Sequence, residues 1–309
     1  MMKAIRLNSY GFPAGVAVEN IEKPRPGFDE VLVHVRAAAV NPVDWMIAEG
    51  YGKEWWGHSL PMTLGCDLAG VIESVGERVG EFKSGDSVFG YSNLMRLGAF
   101  AEFAVVGSDE IAPMPASLDF VHAAAVPVST LTPWQAMFVI AGLQSGQTVL
   151  VHAAAGGVGS MAVQLAKARG ARVIGTASGR NVEFVRSLGA DEVIDYMTTR
   201  FEDAVHDVDV VFDLVGGETQ SRSIGVLRKG GFLVSAVQPP DEAALADTGT
   251  RGGMVKVEPN GSLLREIAAL IDSGKVVVNI ERVLPLDDAV QALELSKTGR
   301  TRGKIVLEM

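Results

Sequence analysis

The sequence predicts an α/β protein: a doubly wound parallel sheet carried beside a smaller, β-rich domain. Three observations point there. Between residues 148 and 237, apolar strand segments alternate with segments of helical spacing. A glycine-rich turn joins the first such strand to the first such helix. The first third of the chain shows instead short alternating runs broken by proline and glycine.

In chain order, residues 1 to 110 hold alternating runs at 30–35, 69–75 and 99–106, punctuated by Pro24, Pro26, Gly27, Gly76, Gly85 and Asp86, the pattern of half-buried strands and turns. A linker-like stretch at 113–117 precedes an alanine-rich segment at 121–126 and a helix over 132–141. Residues 148–170, TVLVHAAAGGVGSMAVQLAKARG, give a strand at 149–151 and a turn at Gly156, Gly157 and Gly159. The helix that follows gathers Val158, Met161, Ala162, Leu165 and Ala166 on one face before Gly170 stops it. Strands at 172–177, 192–195, 208–215 and 231–237 alternate with helices at 181–188 and near 218–227, which implies parallel pairing through right-handed crossovers. The polar stretch 239–253 predicts a mobile loop, and 254–257 a sixth strand. The last part reads as a helix at 262–272, a strand at 276–282, a helix at 286–297 and a closing strand at 304–308. Those strands have no crossover of their own, so they are expected to rejoin the N-terminal domain. The domains expected are therefore 1–120 completed by 261–309, and 121–260.

The glycine turn carries the chemistry. It brings the N–H groups of a first helical turn to the surface with no Cβ in the way, and the helix macrodipole adds positive potential, so a diphosphate suits it. The spacing is AxxGxxG through Ala153, Gly156 and Gly159 rather than GxGxxG, and such a turn also serves plain strand–helix packing. About 20 residues beyond the first glycine, where an NAD enzyme usually places Asp or Glu, stand Thr176, Ala177 and Ser178. With no carboxylate there, Ser178 and Arg180 suit the 2′-phosphate of NADP(H). Arg180 alone reads equally as a solvated surface cation.

The chain has 309 residues, 48% of them hydrophobic, enough for two cores. Its 27 Lys and Arg against 37 Asp and Glu leave a net charge of −10, which argues against nucleic acid or an anionic membrane surface as partner. The start lacks a long apolar segment and no uninterrupted apolar run approaches the ~20 residues that span a bilayer, so a cytoplasmic protein is expected. Cys66 is the only cysteine, and the five histidines show no ligand spacing, so neither a disulfide, a cysteine-rich zinc cluster nor any other metal site is expected.

Several further motifs stand in a familiar order: AAAVNPVDW (37–45), GCDLAGVIESVG (65–76), FKSGDSVFG (82–90), AAAVPVSTLTPWQAM (123–137), LGADEVIDY (188–196), DLVGGET (213–219) and RGKIVL (302–307). Through them the chain resembles, over nearly its whole length, the zinc-independent quinone oxidoreductases (ζ-crystallin-like) of the medium-chain dehydrogenase/reductase superfamily. The resemblance implies a GroES-like β-barrel catalytic domain, a Rossmann domain and NADPH-dependent hydride transfer to a quinone or a related activated carbonyl. An alkenal or enoyl double-bond reductase, or a low-turnover NADPH-binding protein of crystallin type, stands as the alternative. A homodimer is expected, with 254–257 pairing across a twofold axis. At the places where the alcohol dehydrogenases of the superfamily hold catalytic zinc with Cys, His and Cys, this chain has Asn41, Cys66 and Val128, which do not make a zinc site.

By match to the family, Asn41 faces the nicotinamide ribose and substrate, and Thr132 the nicotinamide end. Gly156, Gly157 and Val158 hold the diphosphate, and Ser178, Arg180 and Tyr196 the adenosine 2′-phosphate. Tyr51, Trp55 and Trp56 border the substrate side, where an aromatic face stacks a quinone or else forms a hydrophobic corner or subunit contact. Each has a plainer reading: Asn41 fixes a turn, Thr132 caps a helix, Tyr196 packs at a strand end, Asp44 orients a neighbour or ends a turn, and Cys66 is a small buried hydrophobe. Trp45 and Met46 stand where many members carry a tyrosine, so protonation is expected from solvent.

Overall fold

Residues 1–54 and 56–309 are described by the computed structural model, in which the chain divides into two units, Met1–Val128 with Glu258–Met309 and Ser129–Val257. The α/β class holds: one unit is a mostly antiparallel β structure and the other a parallel, helix-covered sheet.

The first unit opens with β1 (Met2–Leu7), β2 (Val16–Ile21), β3 (Glu30–Val40), α1 (Pro42–Glu49), β4 (Met62–Thr63) and β5 (Asp67–Val75), followed by β6 (Ser87–Tyr91), β7 (Phe103–Gly107), β8 (Ile111–Pro113) and α2 (Phe120–Ala124). Strand β3 is its spine, pairing antiparallel with both β5 and β7. Val31, Val33 and Val35 alternate inward, then Ala37, Ala38 and Ala39 pack without bulk, opposite the equally buried Ala123 and Ala124 of α2. Small residues on both partners let the helix sit close to the sheet.

Helix α3 (Pro127–Trp134) leads into the second unit, made of β9 (Thr148–Val151), α4 (Gly157–Ala168), β10 (Arg172–Ala177), α5 (Val182–Ser187), β11 (Glu192–Asp195), α6 (Phe201–Ala204), β12 (Val208–Asp213), α7 (Gly217–Ser223), β13 (Leu227–Ser235), α8 (Glu242–Thr248) and β14 (Arg251–Met254). The strands are all parallel, in the order β11-β10-β9-β12-β13-β14. Alternate residues of a strand face opposite sides. Accordingly, Val149 and Val151 join one core with Ala162 and Phe212, while Leu150 joins the other with Ile174 and Leu233. A buried hydrogen-bond chain ties α7 to this sheet. Ser223 donates its hydroxyl to Thr219 O (2.6 Å), so it accepts from His152 Nε2 (2.8 Å), and His152 Nδ1 accepts from Thr176 (3.0 Å). Burial pushes the His152 pKa down to about 4, which keeps the ring neutral.

The chain then returns to the first unit with α9 (Gly261–Asp272), β15 (Ile280–Pro285), α10 (Ala289–Lys297) and β16 (Lys304–Glu308). Strand β16 pairs antiparallel with β3 and parallel with β15, so the closing strands do rejoin the N-terminal sheet.

Three expectations change. Residues 239–253 are not a loop but contain α8 and β14. Asp241 accepts from the Ala243 and Ala244 N–H groups and Gly249 closes the helix at φ 64°, a cap at each end inside a polar stretch. The sixth strand accordingly lies at Arg251–Met254, not 254–257. The helix expected from 132 begins at Pro127, so Thr132 is interior rather than its N-cap. Pro133 removes one backbone donor, and the segment Gln135–Ile140 continues as π-helix. Phe120–Ile140 is long and apolar enough by composition to cross a bilayer, but 72% of it is buried within the protein. Because the Asp241 carboxylate supplies the cap, Asp241→Ala is expected to cost about 1 kcal/mol and to speed amide exchange in β14, measured by hydrogen–deuterium exchange. Unchanged exchange in that strand would show that the cap does not hold it.

Candidate active site

At the end of β9 the backbone turns sharply. Ala153 adopts φ 48°, a left-handed conformation uncommon outside glycine, and its carbonyl accepts from Gly156 N–H at 3.0 Å. A Cβ on Gly159 would stand 2.2 Å from that same carbonyl oxygen, so the close crossing of helix and turn requires glycine. Ser160 N–H to Gly156 O (2.8 Å) is the first bond that runs from α4 back to its N-cap. The N–H groups of Gly157, Val158 and Gly159 precede it and point out of the helix start. Gly156, Gly157 and Val158 are half-buried.

The next two strands end beside it. Ser178, half-buried, and Arg180, exposed, follow β10, and Tyr196, exposed, follows β11. Asp195 accepts from Met197 N–H at 3.0 Å, and a Cβ on Gly179 would meet its Oδ2 at 2.6 Å, so the two turns pack directly on one another. The structure thus brings Gly156, Gly157, Val158, Ser178, Arg180 and Tyr196 to the carboxyl ends of three adjacent parallel strands, the place where such sheets bind nucleotides. Asp213, the first residue of DLVGGET, to which the sequence assigns no role, organises the end of β12. Its carboxylate accepts from Val215 and Gly216 N–H (3.0 and 2.9 Å), from Gln220 Nε2 (3.0 Å) and from Ser235 Oγ (2.8 Å). Thr132 is buried within α3.

In the first unit Asn41 sits at the N-cap of α1 and is nearly fully buried. Its N–H donates to Asp44 Oδ2 at 2.7 Å, so Asp44 both orients its neighbour and caps the helix. The Asn41 carboxamide is held on both sides. Oδ1 accepts from Lys304 Nζ at 2.6 Å, and Nδ2 faces Asp67 Oδ2 at 3.0 Å, with Ala39 O and Cys66 Sγ at 3.4 and 3.5 Å. Lys304 Nζ also donates to Val40 O (3.0 Å) and stands 3.6 Å from Asp67 Oδ2, whose other oxygen accepts from Val128 N–H (3.0 Å). Asp67 and Lys304 lie within the motifs GCDLAGVIESVG and RGKIVL, but the sequence assigns neither a role. Lys304 opens an apolar strand, and its partners lie far back in the chain, on β3, β5 and the turn before α1. Burial raises the Asp67 carboxyl, against the opposing pull of Lys304 and the Asn41 amide, and pushes the Cys66 thiol well up. Asp44, fully buried with Oδ1 lacking any hydrogen-bond partner, is pushed up to about 7 by desolvation.

Tyr51 follows the other end of α1. Gly50 takes φ 103°, and the N–H groups of Gly50 and Tyr51 cap Ile47 O and Met46 O, leaving the Tyr51 ring exposed. It meets Trp56 edge-on at 5.7 Å, and Trp56 lies 5.6 Å from His58, whose Nε2 donates to Leu94 O at 2.7 Å. Trp55 lies outside the described residues.

Two family models match: the alcohol dehydrogenase GroES-like domain over residues 27–116 and a zinc-binding dehydrogenase model over 188–307. The chain is 35% identical to the mouse quinone oxidoreductase, covering 99% of this chain and 98% of that one. It is 36% identical to the NADPH-dependent alkenal/one oxidoreductase of Arabidopsis thaliana, over 99% of this chain and 79% of that one. Its fold is similar to that of the Escherichia coli quinone oxidoreductase solved with NADPH (TM-score 0.89, 29% identity, 99% and 100% covered). The chain belongs to the medium-chain dehydrogenase/reductase superfamily, among its quinone-oxidoreductase-like members. It is an NAD(P)H-dependent oxidoreductase acting on a small molecule. The zinc that one family model's description implies does not fit the residues present. The positions of its ligands hold an amide committed to Lys304 and Asp67, one buried thiol and the isopropyl group of Val128. Among the described residues no group of three or more His, Cys, Asp or Glu is placed to hold a metal ion.

Because the folded state binds the Asp44 proton more tightly than the unfolded chain, its contribution to stability is full below about pH 4 and declines as pH rises through about 7. His152 acts oppositely, adding stability above about pH 6.5 that is lost as pH falls through about 4. Asp44→Asn keeps the acceptor for Asn41 N–H and removes the first effect alone. Urea unfolding at pH 4 and pH 8 is expected to show the variant gaining, relative to wild type, on the order of a few kcal/mol at the higher pH. A difference independent of pH would mean that Asp44 is ionised throughout.

Proposed function

We propose that this protein transfers a hydride from NADPH to quinones or related activated carbonyl acceptors, without zinc. The observation that carries the reading is the glycine turn after β9, whose outward N–H groups and half-open surface fit a diphosphate, beside a second turn that offers Ser178 and Arg180 and no carboxylate at 176–178. The solved relative with NADPH and the quinone oxidoreductases at similar length support the same choice.

NADPH, when bound, supplies the hydride from carbon 4 of its nicotinamide; the chain supplies position and field. Gly156, Gly157 and Val158 hold the diphosphate through backbone N–H, and Ser178, Arg180 and Tyr196 receive the 2′-phosphate. Thr132 contacts the nicotinamide end. Asn41, with both amide hydrogens turned to Asp67, Cys66 and Ala39, has a free lone pair only on Oδ1. It therefore serves as acceptor for a ribose hydroxyl, not as donor to the acceptor's oxygen. The exposed Tyr51 ring, steadied edge-on by Trp56, offers a face for a flat substrate. Such acceptors are already electron-poor, so no Lewis acid is required, and the proton that completes a quinol comes from solvent.

Reduction of the carbon–carbon double bond of an enal or enone is the second reading, favoured by the alkenal/one oxidoreductase relative. The product decides between them: a quinol, or a saturated carbonyl. A low-turnover NADPH-binding protein is the third.

Fluorescence titration is expected to show NADPH binding at least tenfold tighter than NADH, with Arg180→Glu erasing that preference while leaving NADH binding within about twofold. Steady-state NADPH oxidation against a panel of quinones and enals should show acceptor-dependent turnover. Tight binding with no turnover would favour the third reading, and no binding at all would sink the proposal.

A further inference from the structure

Lys304 is a buried ammonium whose partners are all in hand. Lysine is rarely buried unless paired, and here it opens β16 against Val40 O, Asn41 Oδ1 and Asp67 Oδ2. An asparagine amide has two flip states of nearly identical shape, and only its neighbours choose between them. An ammonium can only donate and a carboxylate only accept. Lys304 on one side and Asp67 on the other therefore impose a single state: oxygen toward Nζ, nitrogen toward the carboxylate. The positive charge also lies beside Asn41 and within the same cluster as Cys66, two of the positions at which zinc-dependent members of the superfamily carry their metal ligands.

We propose that Lys304 is a positioning residue for hydride transfer. Its ammonium, with the Asp67 carboxylate opposite it, locks the Asn41 carboxamide in the flip state that presents an acceptor. This rests on the function proposed above. An ion pair that only braced the β structure makes a different forecast, because removing both charges together would then restore everything.

The test compares Lys304→Met, Asp67→Asn and the double variant by urea midpoint, NADPH affinity and kcat with a quinone. Lys304→Met strands a buried carboxylate and is expected to lose stability. Asp67→Asn/Lys304→Met carries no stranded charge and is expected to regain most of the midpoint and bind NADPH within about threefold of wild type. Its kcat is nevertheless expected to remain at least tenfold low, since the carboxamide introduced at position 67 can donate to the Asn41 oxygen and pull it away from its place. Asp67→Asn alone leaves the ammonium on Asn41 Oδ1 and should keep kcat at least threefold above that of the double variant. A double variant with kcat within threefold of wild type overturns the proposal. Should the double variant not fold, Lys304→Gln, which keeps a donor without charge, is compared with Lys304→Met: a tenfold higher kcat for the former supports the role, and equal values overturn it. If the wild-type protein turns over no acceptor, the functional reading fails by itself. Proton exchange of the Asn41 side-chain amide by ¹⁵N NMR then decides the orientation: tenfold faster exchange in Lys304→Met supports the lock, and unchanged exchange overturns it.

Discussion

One ammonium group closes the first unit. Lys304 reaches a backbone carbonyl and a carboxamide 264 and 263 residues earlier in the chain, and the strand it opens is the one that pairs back onto β3. Two carboxylates, Asp44 and Asp67, are fully buried within its field. Removing one partner of such a buried pair typically costs about 3–5 kcal/mol, whereas replacing the whole pair by apolar groups can cost nothing. A cluster of this kind is thus poor evidence of selection for stability, and its geometry has to be explained by what it orients. Here that is the amide of Asn41, at the head of a helix whose other end presents Tyr51.

The same reasoning separates the two units. In Ser129–Val257 the groups proposed to face a ligand are backbone N–H donors at a turn and side chains at strand ends, positioned by strands of a largely buried sheet. In the N-terminal unit they are side chains held by other side chains. Asp213 combines the two styles: a buried carboxylate that fixes the backbone of Val215 and Gly216 and holds the side chains of Gln220 and Ser235. Two buried titrating groups, Asp44 and His152, respond to pH in opposite directions over roughly pH 4 to 6.5. Neither is exposed, so neither is suited to exchange a proton with substrate.

How far each feature is legible in the sequence follows from what encodes it. Strands β10 and β16, each paired on both sides, stand where the residue pattern puts them, because a strand buried along most of its length is a plain apolar run; the edge strand β11 is marked by Val193 and Ile194 between polar ends. The glycine turn is legible because its requirement, room for a backbone crossing at Gly159, is written in one residue type. Helix α8 is hidden in a polar stretch although Asp241 and Gly249 are ordinary cap residues, since its short apolar face has too few residues to show a period. Strand β15 starts later than its residue pattern predicts, because Val276 and Val277 extend the apolar run ahead of the pairing that begins at Ile280.

The candidate site divides the same way. Asn41, Gly156 and Arg180 stand out by local motif, and Asp44 is visible as the fourth residue of Asn-x-x-Asp at a helix start. Lys304 and Asp67 stand in motifs too, RGKIVL and GCDLAGVIESVG, but nothing local tells their role. A lysine at the head of a strand reads as a solvated end, and only the pairing of β16 with β3 turns it inward beside Val40. What Asn41 can do chemically depends on that pairing. Without Lys304 and Asp67, either face of its amide is available, and the residue reads as donor or acceptor alike. With both present, it is an acceptor. The polarity of the side chain assigned to the proposed chemistry is therefore set by a tertiary contact between two distant motifs, which neither motif records by itself.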